Sequence, residues 1–454
     1  MTDATGGALA PQTAAERAAP LSNLYRAVWR WHFYAGLLVL PFMIALAVTG
    51  AIYLYHTEID RWVHADFMRV TPQAQALPPS QLVAAALTAQ PGTALKYTDP
   101  ASDDASTEIT IQPKDGPRMA AFIDPYTAKV LEVRADRSTI GWTVRKLHSL
   151  SLFGATPRMI IEIVAGWSIL LVLTGIYLWW PRGQKGALSV RGTPKRRVFW
   201  RDLHAVTGIF AGFFIIFLAL TGMPWSSVWG GKVNEWANGR NFGYPAGLRI
   251  DVPMSDEHLN HVAKTSWSLE QAQIPKTMPM GAPINLDTAV ETFTRLGLHR
   301  GFSVALPQGP EGVYSGSVYP DDLSQQRVIH LDQYSNTPLI DISYTDYGPL
   351  GRGLEWGINT HMGQTFGTLN KIILLAVCAG IVMLAVSAGV MWWKRRPSGS
   401  LGVPPLPSDR RVFVGLFVLL GIGGLLFPLT GLSLLVMIGL DLIWQWISGG
   451  RQTA

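Results

Sequence analysis

The chain has 454 residues, of which 48% are hydrophobic, and a formal net charge of +6. Several uninterrupted apolar runs in so long a chain predict an integral membrane protein. Lys and Arg cluster beside these runs, where positive charge sets membrane topology, so the net charge does not predict nucleic-acid binding. The single cysteine, Cys378, lies within an apolar run, which excludes intrachain disulfides, thiolate-held iron–sulfur clusters and C-x-x-C-H cofactor attachment.

Four runs of about 20 largely apolar residues are long enough to cross about 30 Å of hydrocarbon as helices. They are Phe33–Tyr55, Met159–Trp180, Ala205–Met223 and Ile372–Trp393. Basic residues precede the first run, join the second to the third and follow the fourth, so these segments are predicted to be cytoplasmic. Residues 1–20 contain no short apolar region with a cleavage site, so we expect the first helix to be retained.

In chain order, the predicted organisation is a disordered cytoplasmic N-terminus (1–25), a first membrane helix (26–56), a first periplasmic lobe (57–158), a second helix (159–181), a basic cytoplasmic linker (182–203), a third helix (204–225), a second periplasmic lobe (226–368), a fourth helix (369–393), a cytoplasmic loop (394–411) and a C-terminal membrane segment (412–447). The last segment is too long for one simple crossing. Pro428, followed by Thr430-Gly431, favours two short helices over one.

Both periplasmic segments contain short β-rich stretches separated by turn residues. These are Glu108–Gln112, Ala120–Asp124 and Lys129–Val133 in the first, and Val313–Tyr319, Arg327–Asp332 and Leu339–Ser343 in the second. A helix is predicted before each set, at 80–89 and 287–296. Each segment is therefore predicted to form a small α+β module. The fold class is an α-helical integral membrane protein with an internally duplicated four-helix core, one or two C-terminal helices and α+β extracytoplasmic lobes.

Histidines mark the internal duplication. His32 and His204 are each followed 17 residues later by a Thr-Gly pair, Thr49-Gly50 and Thr221-Gly222. His148 and His361 each precede a Trp-Trp pair by 31 residues. The chain therefore contains two copies of one unit.

Matched histidines in the two halves of a membrane bundle predict paired axial ligands, because a flat cofactor needs one imidazole on each side. His32 and His204 share a preceding Arg-x-x-Trp-Arg pattern and a glycine four residues later, Gly36 and Gly208. Residues four apart share a helix face, so these glycines leave room for a porphyrin; the alternative is that they serve helix packing. We expect two non-covalent haems b, one held by His32 and His204 near the cytoplasmic face and one by His148 and His361 near the periplasmic face.

Other side chains complete these predicted sites. His56 is a reserve ligand that lacks a repeat partner, because the equivalent position is Val228. Basic residues are candidates to neutralise haem propionates, although topology signalling explains the cytoplasmic ones equally well. They are Arg145, Lys146 and Arg158 on the periplasmic side and Arg26, Arg30, Arg197 and Arg201 on the cytoplasmic side. His258 and His261 are three residues apart, but two ligands do not predict a metal site.

The chain resembles the PepSY-associated transmembrane family. The resemblance rests on Tyr53, Asp124-Pro125-Tyr126-Thr127, His148 before Phe153-Gly154, Trp179-Trp180-Pro181-Arg182 and Phe427-Pro428-Leu429-Thr430-Gly431, and it covers nearly all of the chain after residue 20. Members include inner-membrane ferric-siderophore reductases, the ferrioxamine reductase among them. The resemblance implies b-type haems and a periplasmic PepSY-like lobe.

The predicted function is reduction of a periplasmic ferric siderophore or other ferric chelate by electrons from the cytoplasmic side of the bacterial inner membrane. Quinol or a separate reductase is the expected donor, since Gly421-x-Gly423-Gly424 lies in an apolar helix and does not follow a strand as a dinucleotide motif does. Two alternatives are a siderophore permease and a non-catalytic anchor whose lobes bind peptides or regulate a protease. The predicted spans have almost no charged residues at mid-depth, where coupled transporters place functional charges, and this argues against a permease. A non-catalytic anchor would leave the matched histidines unexplained.

Overall fold

The computed structural model describes residues 23–180, 188–238, 254–259, 265–398, 402, 418 and 421–449. Several predicted features lie outside these residues. They are most of the N-terminus predicted to be disordered, parts of the two basic segments predicted to be cytoplasmic, the first part of the C-terminal segment, and His261. The helices are α1 (Asn23–Tyr53), α2 (His56–Val63), α3 (Ala65–Met68), α4 (Pro79–Ala89), α5 (Ile140–His148), α6 (Ala155–Trp179), α7 (Arg197–Gly222), α8 (Trp229–Asn238), α9 (Leu286–Arg295), α10 (Pro349–His361), α11 (Gly367–Arg395) and α12 (Pro428–Gly449). The strands are β1 (Thr93–Thr98), β2 (Thr107–Gln112), β3 (Met119–Ile123), β4 (Val130–Ala135), β5 (Met254–His258), β6 (Gln273–Pro275), β7 (Ser303–Ala305), β8 (Val313–Val318), β9 (Arg327–Asp332) and β10 (Pro338–Ser343).

Four of the described helices are long and apolar enough to cross a membrane. They cover Leu24–Tyr53, Ala155–Trp179, Arg197–Trp225 and Gly367–Arg395, with mean hydropathies between 2.2 and 2.6. The four predicted spans are therefore confirmed as apolar helices. Their ends differ from the predicted ones, most at the starts of α1 and α7, which begin at Asn23 and Arg197 because helical structure continues through the basic turn before each apolar run.

The four helices form a closed bundle in which each contacts two neighbours. Helix α1 packs against α6 and α11, and α7 packs against the same two helices, so α1 and α7 lie on one diagonal. Small and β-branched side chains fill the middle: Ala47, Ala211, Ile215, Val377 and Ile381. We call the end of the bundle where α1 and α7 finish the sheet end, and the end where they begin the linker end.

The two segments outside the bundle build one antiparallel sheet. Its strand order is β10-β9-β8-β7-β1-β2-β3-β4. Strands β1 and β7 join the two halves through the pairs Lys96–Ala305, Tyr97–Val304 and Thr98–Ser303. The prediction of two separate modules was wrong in this respect. Each half would otherwise leave an unpaired strand edge, and the two edges satisfy each other's backbone groups.

Helices α4 and α9 cover one face of this sheet. Leu82, Phe293, Ile109 and Ile329 belong to a single apolar core that spans both halves. The N-termini of the two helices are also linked, because the Ser80 backbone N–H and hydroxyl both donate to the Asp287 carboxylate, at 2.7 and 2.6 Å. The sequence predicted both helices to within one residue at each end, but it did not predict β1 and β7.

The C-terminal segment changes direction at Phe427. Residues 421–426 are helical, and α12 begins at Pro428. A Cβ on Gly424 would fall 2.6 Å from the Gly431 Cα, so the two stretches approach at a point where only glycines fit. Helix α12 packs on α6, where the Trp167 indole N–H donates to the Ser433 hydroxyl at 2.8 Å.

Candidate functional site

His32 and His204 lie at the linker end on the diagonal helices α1 and α7. Each occurs within the first third of its helix, because the basic Arg-x-x-Trp-Arg turn that precedes it is itself helical. The two rings are close enough to interact electrostatically. The structure therefore brings together the pair predicted for this end.

His148 and His361 lie at the sheet end, each as the last residue of a short helix. Helix α5, which ends at His148, packs against α1, and α10, which ends at His361, packs against α7. These two rings also interact electrostatically. The sequence placed both histidines in segments before the spans and missed the helices that return them to the bundle.

All four histidines use Nδ1 to contact a hydroxyl on a neighbouring bundle helix. The distances are 2.9 Å from His32 to Thr174 Oγ1, 2.9 Å from His148 to Thr49 Oγ1, 3.1 Å from His204 to Ser387 Oγ, and 2.8 Å from His361 to Thr221 Oγ1. Helices α6 and α11 supply the hydroxyls at the linker end, and α1 and α7 supply those at the sheet end. The anchors therefore follow the internal duplication.

These contacts define which ring nitrogen carries the proton. Each hydroxyl already donates its single proton to a carbonyl of its own helix, as Thr49 does to Ala45 O at 2.6 Å and Thr221 to Phe217 O at 2.7 Å. The hydroxyl oxygen must then accept from the imidazole. The tautomer of His204 follows from a second contact as well. Its Nδ1 lies 3.1 Å from Leu384 O, and because a carbonyl oxygen can only accept, Nδ1 must carry the proton. Each ring therefore has a protonated Nδ1 and a free lone pair on Nε2, the form that binds a metal.

Small residues lie beside the rings. A Cβ on Gly50, Gly222 or Gly175 would fall 3.4 Å from the Cε1 of His148, His361 or His32, respectively. Each of these glycines directly follows the anchoring threonine in sequence. The threonine holds the ring, and the glycine after it leaves space for the ring edge.

Each site contains two imidazoles. Among the residues that the structure describes, no group of three or more His, Cys, Asp and Glu side chains is arranged to hold a metal ion. Two protein ligands are too few for most bare metal ions, but they suit an iron whose other four ligands come from a porphyrin. The donor set therefore fits haem.

The protonation state at the sheet end also fits. Burial lowers the pKa of His148 to about 4. Burial, together with repulsion from His148, lowers the pKa of His361 to about 3. Both rings are neutral near pH 7, as iron ligation requires.

The predicted glycines Gly36 and Gly208 contact leucines of the neighbouring helices. Their Cβ positions lie 4.0 Å from Leu171 and 3.6 Å from Leu384, which are ordinary van der Waals distances. These contacts agree with the helix-packing alternative. They do not test the predicted contact with a porphyrin.

The predicted arginines have protein partners. Arg30 is buried and donates to the Tyr34 hydroxyl at 3.0 Å. Arg201 is half exposed and pairs with the buried Asp202 carboxylate at 2.8 Å. Arg145 stacks on Trp142, with 5.0 Å between the guanidinium and the ring centroid.

Arg158 differs from these three. Its Nη2 donates to Trp225 O at 2.5 Å, while its Nε is buried and has no hydrogen-bond partner among the residues that the structure describes. An unsatisfied guanidinium N–H at the sheet end suits an acidic group of a bound cofactor.

His56, the reserve ligand, stacks on Tyr53 with ring centroids 4.3 Å apart and donates from Nδ1 to Tyr53 O at 2.8 Å. Its Nε2 faces the Thr57 hydroxyl at 3.4 Å.

A comparison with protein families matches residues 29–395 to the PepSY-associated TM region. The chain belongs to this family. The match contains three of the four membrane helices in full, the first from residue 29 onward, the whole eight-stranded sheet and all four paired histidines. No curated protein matches the sequence.

In this PepSY-associated TM protein, sequence reasoning missed Thr174 and Ser387 as ring anchors. A signal was present, because Thr174-Gly175 and Ser387-Ala388 each follow the sheet-end histidine of their own half by 26 residues. The same spacing in both halves, with a hydroxyl followed by a small residue, repeats the pattern of Thr49-Gly50 and Thr221-Gly222. Nothing in the sequence shows, however, that the anchor serves the histidine at the opposite end of the bundle.

Proposed function

We propose that this protein binds two haems b and carries electrons across the bacterial inner membrane to a ferric siderophore in the periplasm. One observation carries the proposal: four histidines form two facing pairs, and all four are held by Nδ1 so that Nε2 is free to ligate. Structural histidines in a membrane bundle have no reason to share one tautomer and one type of anchor in both repeats.

When bound, haem iron accepts and passes on one electron at a time. His32 with His204, and His148 with His361, would each hold one haem, and a haem held by two histidines would supply electron transfer in preference to oxygen chemistry. The hydroxyl anchors fix each ring's orientation and make Nε2 a better donor, because a hydrogen bond from Nδ1–H raises the basicity of the ligand. No side chain needs to act as an acid, a base or a nucleophile towards the chelate.

The two histidine levels are well separated along the bundle. Seventeen residues separate His32 from Thr49, the anchor of the other pair, and this corresponds to about 25 Å at 1.5 Å per residue. Small and branched apolar side chains pack the region between the levels. An apolar core between the levels is unfavourable for ions, which supports electron transfer rather than ion transport.

The acceptor would bind at the sheet end, which we place in the periplasm because the basic segments flank the linker end. A ferric siderophore is the acceptor that the resemblance to siderophore reductases implies, and one-electron reduction to ferrous iron weakens the chelate's hold on the metal. Quinol or a separate reductase would supply the electrons from the opposite side.

The charged groups at the ends of the spans argue against a coupled permease. The buried Glu162 carboxylate accepts from the Val228 and Trp229 backbone N–H groups at 2.9 and 3.1 Å, where it caps the start of α8. Lys371 pairs with Glu58 at 2.6 Å and thereby ties α11 to α2. Both charges make structural contacts outside the middle of the bundle, whereas coupled transporters place functional charges there.

A pyridine haemochrome assay on the purified protein, with reduced-minus-oxidised spectra, tests the cofactor. We expect about two haems b per chain. His32→Ala and His204→Ala should each remove one haem, and His148→Ala and His361→Ala should each remove the other. His299→Ala is the control, since this exposed residue of the sheet domain belongs to neither histidine pair and donates from Nδ1 to the Arg300 carbonyl at 2.8 Å. A colourless protein from haem-supplied cells would overturn the proposal in favour of a permease or a peptide-binding anchor.

The direction of electron flow and the acceptor are tested in lipid vesicles. With a quinol donor, we expect reduction of an added ferric siderophore that is lost in His148→Ala. Reduction only after a cytosolic fraction is added would replace quinol by a separate reductase. Normal haem reduction without any transfer to ferric chelates would refute the proposed substrate class and leave only the electron route.

A further inference from the structure

A short turn between the two halves of the sheet-end site carries Glu270. The turn, Trp267–Leu269, is fixed on two sides. The Trp267 indole N–H donates to Pro224 O at the end of α7, at 2.8 Å, and the Ser268 backbone N–H and hydroxyl donate to Glu355 on α10, at 2.9 and 2.7 Å. Glu270 follows directly, so its backbone is held beside the helix that ends at His361.

Charged groups from four elements act on Glu270. Three of these groups are cations: Arg145 on α5, three residues before His148, Arg158 on α6, and Arg137 just before α5. The fourth is an anion, Glu355 on α10. Helix α8 also packs on the turn, but its Lys232 and Glu235 are exposed and pair with each other at 3.4 Å. Glu270 therefore lies beside the helix that ends at His361 and within electrostatic reach of Arg145 on the helix that ends at His148, among three cations and one anion.

The Glu270 carboxyl differs from that of Glu355. Glu355 is fully buried and satisfied, since its second oxygen accepts from the Tyr319 hydroxyl at 3.1 Å. Glu270 is half-buried, and within the described part of the chain its carboxyl has no direct hydrogen-bond or ion-pair partner. It is accessible to water and free to change protonation without breaking a contact.

The electrostatics agree with this geometry. Burial and repulsion from Glu355 raise the pKa of Glu270 to about 7, against the pull of the arginines. Burial also raises the pKa of Glu355, while its bonds to Ser268 and Tyr319 oppose that rise. Burial and Glu355 raise the pKa of Tyr319 well above its ordinary range, so Tyr319 stays protonated. Glu270 is thus poised to gain or lose a proton near neutrality.

We propose that Glu270 balances charge at the sheet end. Its carboxylate takes up one proton when one electron arrives at the cofactor held by His148 and His361. The inference rests on the proposed function. The donor, a quinol or a reductase, supplies the electron, and periplasmic water supplies the proton, so the ionised carboxylate becomes the neutral acid and the net charge of the site does not change. When the electron leaves for the ferric chelate, the proton returns to water.

The physical reason is the low dielectric of the site. An added electron makes the surrounding potential more negative, and in a poorly solvated region this strongly favours protonation of the nearest titratable acid. Arginine side chains keep their charge in proteins, so they cannot take up this proton. The exchange of one proton per electron therefore has to occur at a carboxyl group.

The test is potentiometric titration of the two haems in the full-length protein between about pH 5.5 and about pH 8.5. Above about pH 7, the reduction potential of one haem should fall by about 59 mV per pH unit, because each tenfold fall in proton concentration shifts its one-electron equilibrium about tenfold. Glu270→Gln should remove this dependence for that haem and leave the other unchanged. Glu311→Gln is the matched control, because Glu311 is an exposed glutamate of the same domain paired with Lys276 at 3.2 Å.

A second readout is independent of any acceptor. Redox-difference infrared spectra should contain a protonated-carboxyl band in the reduced state that is absent in Glu270→Gln. A slope and band that survive in Glu270→Gln but disappear in Glu355→Gln would assign the proton to Glu355 and overturn the inference. A slope that survives in both variants would assign it to the cofactor's own acidic groups, with the same consequence.

These outcomes separate the two proposals. Absence of haem overturns the proposed function and this inference with it. Two haems with potentials that do not depend on pH leave the proposed function intact and overturn only the role of Glu270.

Discussion

Thr174 and Ser387 occupy equivalent positions in the two repeats, and the structure predicts different consequences when each loses its hydroxyl. Among the residues that the structure describes, Thr174 is the one anchor of the His32 ring, at 2.9 Å. The His204 ring contacts both Ser387 and the Leu384 carbonyl, each at 3.1 Å. Thr174→Val should therefore weaken haem binding at the linker end much more than Ser387→Ala.

The magnitudes follow from the fate of the Nδ1–H group. In Thr174→Val this donor loses its acceptor in an apolar surrounding, which costs about 1–3 kcal/mol, or about 5- to 150-fold in haem affinity. In Ser387→Ala the donor keeps the Leu384 carbonyl, so the loss should be under about 1 kcal/mol, or less than about fivefold. Loss of the anchor also makes the ligand less basic, so Thr174→Val should raise the potential of this haem.

Haemin titration of the apoprotein, followed by absorbance, measures the affinities, and potentiometry measures the potentials. Thr88→Val is the control: the Thr88 hydroxyl donates to Ala84 O at 2.9 Å, so the substitution removes the same kind of backbone bond on an exposed helix far from the histidines. Equal losses in Thr174→Val and Ser387→Ala would refute the argument from alternative acceptors. No loss in either would refute the assignment of these hydroxyls as anchors.

Two further predictions concern stability. Gly166→Ala should lower the free energy of unfolding by about 1–3 kcal/mol, because its Cβ would overlap the Thr430 side chain where α12 packs on α6. Gly389→Ala, which places its Cβ in open space, is the control in thermal unfolding. Equal stability of the two variants would contradict this packing. Burial raises the pKa of Glu270 from 4.5 to about 7, so its ionisation destabilises the folded state and stability should fall as pH rises between these values. Glu270→Gln should reduce that fall, and an unchanged pH profile of the unfolding temperature would show that Glu270 does not titrate in this range.

The sequence predicted the elements whose formation depends on local pattern. A run of about 20 apolar residues has one stable form in a bilayer, the helix that satisfies its own backbone groups, so all four spans followed from composition. The repeat predicted which histidines belong together, because equal spacing on equivalent helices places them at equal depth. The six predicted strands also agree with the observed ones to within one or two residues.

Helices α5 and α10 were not predicted, because they are short and become stable only by packing against the bundle. Strands β1 and β7 were missed for a related reason. Each gains its backbone partners from the other half of the chain, and Ser303–Ala305 is too short to show a periodic pattern. Elements that depend on distant partners leave a weak local signal.

The sequence by itself determined that this protein has four apolar helices long enough to cross a membrane, and it predicted a duplicated bundle with a histidine at each end of each repeat, since hydrophobic length and residue spacing are local properties. Only the tertiary structure decided that the two outer segments share one sheet, that each ring is anchored by a hydroxyl from another helix, and that the turn before Glu270 packs on the helix that ends at His361. These facts depend on which surfaces meet, and contacts between residues such as His32 and Thr174, 142 positions apart, leave no pattern along the chain.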